Sequence, residues 1–283
     1  MSTKQTEKNP SNNIEDEMEA RILEGAKDGA LGVYCSLFSA KSQIEGQDGG
    51  VVTALLLKGL QKGLFDVAIV VHRKNGYNAE VTAAETTEEI LTSKGSVYHR
   101  VNTTKKLLEL VAQGKKRIAV VCTPCEGAII RKLQQTQCKD VDLTIIGLFC
   151  FGAFNPQRLK EEIQTQLGVD LDRATKTQVK QGKFIVSVEG EEVSCRIEDL
   201  FKAFEGTCGS CGEFVSRLAD ISVGSAGSKN GYSTVIVRSE KGIKLVSELD
   251  VQIDTADKLE ITKLAKLKKE QAENNNTKQR QNQ

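Results

Sequence analysis

Three short apolar runs, "DVAIVV", "RIAVVC" and "LTIIGLFC", recur between residues 66 and 150, each separated from the next by a stretch of helical periodicity. Runs of this length, apolar on both alternate positions, are strands buried on two faces, and helices between them connect parallel neighbours. They fall well short of the roughly 20 apolar residues that span a bilayer, so the chain carries no membrane span. The pattern extends in both directions. "LGVYCSLFSA" reads as a strand, "GGVVTALLLKGLQKG" as a helix closed by Gly63, "EVTAAETT" as a strand, "TTKKLLELVAQG" as a helix and "CEGAIIRKLQQ" as a short helix.

Beyond residue 150 the order changes. "FNPQRLKEEIQTQLG" reads as a helix and "KFIVSVEGEEVSCRI" as a hairpin turned at Glu189-Gly190. "DISVGSAGSKNGYSTVIVRSEKGIKLV" adds two strands around a glycine- and serine-rich loop. The expected fold class is therefore α/β to α+β. Four regions follow: a polar tail over 1–25, an α/β part over 26–150, an α+β part over 151–262 and a polar tail over 263–283. "DKLEITKLAKLKKEQAE", before the C-terminus, reads as a solvated helix.

Lysine and arginine number 39 against 38 acidic residues, and aromatics make up 5% with no Trp. Nucleic-acid binding thus has neither a basic footprint nor stacking platforms to rest on. The polar N-terminus lacks a signal-peptide core, so the expected location is the cytoplasm. In that reducing compartment 8 cysteines are free thiols, and metal or redox chemistry is their expected use.

Two Cys-x-x-Cys pairs stand out, Cys122-Thr123-Pro124-Cys125 and Cys208-Gly209-Ser210-Cys211. Thiolates from both suit tetrahedral zinc or an iron–sulfur cluster, but only if the fold brings distant segments together. Cys125 follows Pro124 in the first turn of a helix, where unpaired N–H groups stabilise a thiolate. Cys150 ends the strand "LTIIGLFC". If residues 118–122 and 143–149 run parallel, Cys125 and Cys150 share the carboxyl-end loops where open α/β sheets carry ligands. Cys150 then competes with Cys122 for the fourth ligand position. Cys35, Cys138 and Cys195 read as plain structural residues.

"EGQDGGVVTALLLKGL", residues 45–60, is a glycine-rich bend running into a helix, yet it matches neither a Gly-x-Gly-x-x-Gly fingerprint nor a Walker loop. A Rossmann fold is not expected. Taken in order, "GQDGGVVTALL", "CTPCEGAIIRKL", "GLFC" and "CGSCGEFVSRLADISVGSAGSKNGYSTVIVR" resemble the beta-subunit family of coenzyme F420-reducing hydrogenases and F420-linked dehydrogenases, over about residues 30–260. The resemblance implies a mixed-sheet, flavin-binding core with a cluster-binding second part. It also implies FAD, one 4Fe-4S cluster, and electron transfer between a partner oxidoreductase and coenzyme F420. Hydrogenase, formate dehydrogenase or heterodisulfide-reductase-type subunits are the implied partners.

Carried over residue by residue, the cluster ligands would be Cys125, Cys150, Cys208 and Cys211. The flavin contacts would come from Asp48, Gly49, Gly50 and Thr53, from Gly95, Ser96 and Tyr98, from Thr123 and Pro124, and from Ser225, Gly227 and Ser228. No catalytic side chain is implied, because the chemistry is flavin-centred and neither His72 nor His99 is assigned as a base. Val97 stands where the family usually has lysine, with Lys94 and His99 as the nearby candidates to replace that cation. Two rival readings remain: a ferredoxin-linked, FAD-dependent reductase with another substrate, and a zinc-stabilised scaffold without redox chemistry.

Overall fold

The structure, a computed structural model, describes residues 17–23, 25–74 and 76–281, with backbone alone beyond residue 277. Residues 17–22 form the described part of helix α1. Then come β1 (Ala26–Asp28), β2 (Gly32–Tyr34), β3 (Ser36–Ser42), α2 (Val51–Gln61), β4 (Val67–Arg73), β5 (Ala79–Ala84), α3 (Thr87–Thr92), α4 (Thr103–Ala112), β6 (Arg117–Cys122), α5 (Pro124–Thr136) and β7 (Asp142–Leu148). The remainder is α6 (Pro156–Leu167), β8 (Lys176–Lys180), β9 (Lys183–Val188), β10 (Glu191–Arg196), β11 (Ile221–Gly224), β12 (Ser233–Val237), α7 (Glu240–Ser247), β13 (Val251–Asp254) and α8 (Lys258–Gln281).

One 8-stranded mixed sheet, ordered β13-β3-β12-β11-β7-β6-β4-β5, organises the molecule. The strands β4, β6, β7 and β11 pair in parallel, as the apolar runs require. Alternate residues of each run feed two cores. Ala68, Val70, Ala119 and Val121 pack with Leu55 and Leu56 of α2, whereas Val67, Ile69, Ile118 and Val120 pack with Leu107 of α4 and Ile130 of α5. The mixed α/β architecture agrees with the expected fold class.

The strands β11 and β12 cross the division expected at residue 150, since β11 pairs with β7 and β12 with β3. The segment around α6 and the antiparallel sheet β10-β9-β8 builds a core of its own, with Phe154, Leu159, Phe184 and Leu200 at its centre. Its hairpin turns at Glu189 and Gly190, both at positive φ (52° and 89°), as the sequence predicts. The expected strand over residues 31–40 is broken at Cys35: β2 pairs with β1, and β3 pairs with β12 and β13.

Both ends differ from the expected polar tails. Residues 1–16 lie outside the described residues, but Met18, Glu19 and Leu23 are buried, and Glu19 accepts from the Val33 amide at 2.7 Å. At the other end Ile261, Ala265, Lys268 and Ala272 of α8 are buried. Among the described residues no helix is long and apolar enough to cross a membrane.

Buried polar groups join the halves. Arg238 is fully buried and donates to the carbonyls of Leu31, Val33 and Val215 and to Ser222 Oγ. Arg131 pairs with Asp220 at 2.9 Å, and Asp220 also accepts from the Ile145 amide and Ser239 Oγ. Asp220→Asn therefore leaves a buried guanidinium without its counter-charge. Urea unfolding is expected to show a loss of about 3–5 kcal/mol; an unchanged midpoint would contradict this role.

Candidate functional site

Strand direction decides what meets at the carboxyl end of the sheet. Since β3 and β11 are both antiparallel to β12, β3 runs the same way as β11, β7, β6 and β4. The ends of these strands deliver residues 43–50, Arg73, Cys122–Cys125, Phe149–Cys150 and Ser225–Ser228 to one side. Such strand ends are where open α/β sheets place ligands.

Helix α5 starts with Thr123 as N-cap and Pro124 in its first turn, leaving Cys125 exposed with its Sγ 3.3 Å from Thr123 Oγ1. Parallel pairing sets Cys122 opposite Gly147, so the turn after β6 lies beside the chain leaving β7. Backbone bonds then fix the second pair. The Cys150 amide donates to the Phe214 carbonyl at 2.9 Å, the Glu205 amide to the Ala153 carbonyl at 2.9 Å, and the Ala153 amide to Cys208 Sγ at 3.4 Å. Cys208 and Cys211 lie on a 3₁₀ turn held along residues 150–155 by these contacts.

The thiols sense one another. Burial pushes Cys150 up to about 11, Lys268 opposes the rise, and Cys208, Cys125 and Cys211 add to it. Burial also raises Cys211, with Lys268 again opposing and Cys125 adding. Among the described residues, however, no three Cys, His, Asp or Glu side chains are gathered to hold a single metal ion. Cys122 faces away into the core beneath α5, and burial raises its thiol strongly. Cys138 is buried in the same core, Cys195 is half-buried beside β9, and Cys35 is exposed.

The glycine bend is built tightly. Gly50 is the N-cap of α2; its φ of 65° is in the left-handed region, and a Cβ there would lie 2.1 Å from the Ile44 carbonyl oxygen. Without a capping side chain, the first-turn N–H groups leading to Thr53 are not capped from within. Gly49 donates to Ser233 Oγ at 3.1 Å and accepts from the Ser42 amide at 2.8 Å. Asp48 is half-buried; burial raises its carboxyl pKa, and Lys180 and Lys176 of β8 oppose that rise.

Gln47 ties this bend to the segment 95–98, donating to Tyr98 Oη at 2.6 Å and accepting from the Ser96 amide at 3.3 Å. Gly95, at φ 113°, begins that segment. Tyr98 Oη also accepts from the Val179 amide at 3.1 Å, and Arg73 bridges the Ser96 carbonyl and Thr177 Oγ1. Asp48, Gly49, Gly50, Gly95, Ser96 and Tyr98 therefore form one connected group against β8. His99 stands apart, half-buried against the Tyr77 ring at 5.0 Å, and burial lowers its pKa.

In the loop after β11, Ser228 Oγ is shared with Ser39 Oγ (2.5 Å) and Thr234 Oγ1 (2.7 Å). Gly227, at φ 80°, accepts from the Asp257 amide at 2.7 Å, and a Cβ would strike Ile261. These two residues hold the loop against β3 and α8, while Ser225 is exposed. Sequence reasoning missed Gln47, Arg73, Lys176, Lys180 and Lys268. Arg73 alone carried a signal, as the last residue of a parallel strand at the ligand-bearing end.

The fold has solved counterparts. A chain of the F420-reducing nickel–iron hydrogenase complex from Methanosarcina barkeri superposes with a TM-score of 0.83 at 28% identity, covering 88% of this chain and 94% of that one. A coenzyme F420-dependent sulfite reductase of Methanocaldococcus jannaschii is 36% identical over 257 residues, and this chain spans 41% of its length. A coenzyme F420 hydrogenase subunit beta of Methanococcus voltae is 32% identical over 209 residues, 72% of this chain and 75% of that protein. These relatives are oxidoreductases and components of oxidoreductase complexes. Residues 36–109 match the N-terminal part, and residues 115–276 the C-terminal part, of the coenzyme F420 hydrogenase/dehydrogenase beta subunit. The chain belongs to that family.

The thiol environments give a direct test. In iron-free protein at pH 8, peptide mapping after a brief iodoacetamide pulse is expected to show Cys125 modified at least about tenfold faster than Cys150. Cys150 should quicken as pH rises from 8 towards 11, as its thiolate forms. Equal rates at pH 8 would contradict the placement of Cys150.

Proposed function

We propose that the chain is a cytoplasmic iron–sulfur flavoprotein subunit that passes electrons between a partner oxidoreductase and coenzyme F420. The observation that carries this reading is the convergence of Cys125, Cys150, Cys208 and Cys211 at the same end of the sheet as the Gly50 helix start. The donor set fits a 4Fe-4S cluster. Zinc would need thiolates at about 3.8 Å from one another, given Zn–S bonds near 2.3 Å. An iron–sulfur cube takes its four thiolates at wider-set corners, which suits thiols that lie within electrostatic reach of one another.

The Gly50 bend fits FAD. Bare first-turn amides of α2 offer donors to an anionic oxygen, and the missing Cβ atoms of Gly49 and Gly50 let the bend pack against Ala40, Ser233 and Ile44, which holds those amides in place. Gln47 and Tyr98 hold the bend to residues 95–98. Lys176 and Lys180 supply positive charge beside Asp48, so the cation absent at Val97 has a source on β8. When bound, the cluster supplies single-electron transfer and the flavin exchanges a hydride with coenzyme F420. The relatives' names, among them F420 hydrogenase subunits and an F420-dependent formate dehydrogenase subunit, support F420 as acceptor and such subunits as partners. A second reading, a ferredoxin-linked reductase with another acceptor, rests on Val97 alone.

Anaerobic reconstitution is expected to give about four irons and one FAD per chain, and reduced F420 should bleach the flavin band. A colourless protein with stoichiometric zinc, or one that takes up no flavin, would overturn the reading. F420 left unreacted while another acceptor is reduced would favour the second. Gly50→Ala is expected to weaken FAD binding at least about tenfold, because a Cβ is strained at that φ and blocks the bend. Wild-type FAD affinity in that variant would remove Gly50 from the site.

A further inference from the structure

Helix α8 buries a stripe at helical spacing, Ile261, Ala265, Lys268 and Ala272, and Asn275 continues it by donating to the Gly209 carbonyl at 2.9 Å. One member is out of character. Lys268 occupies the middle of this stripe, only 4% exposed, where an apolar or small residue would pack without cost. Its ammonium donates to the Cys150 carbonyl at 2.5 Å and lies 6.0 Å from the Phe151 ring centroid. Among the described residues it makes no ion pair with a carboxylate.

A buried cation with a carbonyl for company is poorly compensated; an anion is the partner that would offset its desolvation. The groups nearest in chemistry are the thiols: Lys268 Nζ sits on the carbonyl of Cys150 itself, and Asn275, two turns further along α8, holds the carbonyl of Gly209 between Cys208 and Cys211. A cluster held by four thiolates is net anionic, and each electron it accepts adds one more negative charge. An ammonium held at fixed range favours the more negative state.

We propose, resting on the four-thiolate reading above, that Lys268 is a positioning residue that raises the reduction potential of the cluster through its fixed positive charge, and that α8 serves to hold it there. It is neither a ligand nor a group that touches a substrate. The C-terminal helix is thereby part of the redox site rather than an appendage.

The test uses the full chain, reconstituted anaerobically, as wild type, K268Q and K268R. Iron per chain is measured first, and the cluster is then titrated with dithionite, the electron donor, under electron paramagnetic resonance. At the potential where wild type is half reduced, K268Q is expected to show its reduced-to-oxidised ratio lowered about tenfold, about 59 mV for one electron. K268R should remain within about twofold. A K268Q ratio within twofold of wild type, with full iron content, overturns the proposal and leaves the four-thiolate reading standing. If K268Q fails to retain iron, K268R decides: retention with arginine supports the charge, and equal loss shows a packing role and overturns it. A wild type that binds no iron overturns the four-thiolate reading and this inference with it.

Discussion

Parallel pairing of β6 with β7, with Cys122 opposite Gly147, is the constraint on which the rest of the arrangement depends. It aligns the turn that carries Cys125 with the strand exit that carries Cys150, although the two are far apart in sequence. Everything added later in the chain leans on that exit. The Phe214 carbonyl receives the Cys150 amide, and Cys208 Sγ receives the Ala153 amide, so the second pair is seated by ordinary backbone bonds rather than by a local metal knuckle. Burial of Arg131 with Asp220 fixes the same region from below, since Asp220 also accepts from the Ile145 amide inside β7.

Much of this was legible from residues alone. Near-continuous apolar runs at 67–71, 117–122 and 143–148 declare strands buried on both faces, and Pro124 announces the helix start beside Cys125. Glu189-Gly190 declares its turn. What escaped was long-range. That β11 and β12 return to the first half's sheet has no local signature, because pairing partners are chosen by tertiary contact and not by the strand's own sequence. The break at Cys35 escaped for the same reason, being set by two different partners on either side.

Helix α8 was legible as a helix, but its burial escaped for a different reason. Past Ile261 its buried stripe is two alanines and a lysine, which a hydrophobic pattern reads as solvated. The choice of Gly50 as the cap of α2 has a cause that is likewise hidden from the local pattern. Polar residues compete for a cap on paper, whereas the left-handed φ and the Ile44 carbonyl at 2.1 Å from a notional Cβ make glycine the only comfortable occupant. Lysines at 176 and 180 carry no motif, yet strand β8 brings them within electrostatic reach of Asp48.

Electrostatics unites the two parts of the site. With a net charge of only +1, the chain nevertheless sets cations beside both groups: Lys268 on the Cys150 carbonyl, and Lys176 with Lys180 within electrostatic reach of Asp48 in the glycine bend. The central claim is spatial, that four particular sulfurs enclose iron. Anomalous diffraction at the iron absorption edge, on crystals of anaerobically prepared protein, tests it most directly. The account predicts one compact iron feature bounded by Cys125, Cys150, Cys208 and Cys211. Iron elsewhere, a zinc signal in that position, or Cys122 among the ligands in place of Cys150 would contradict it.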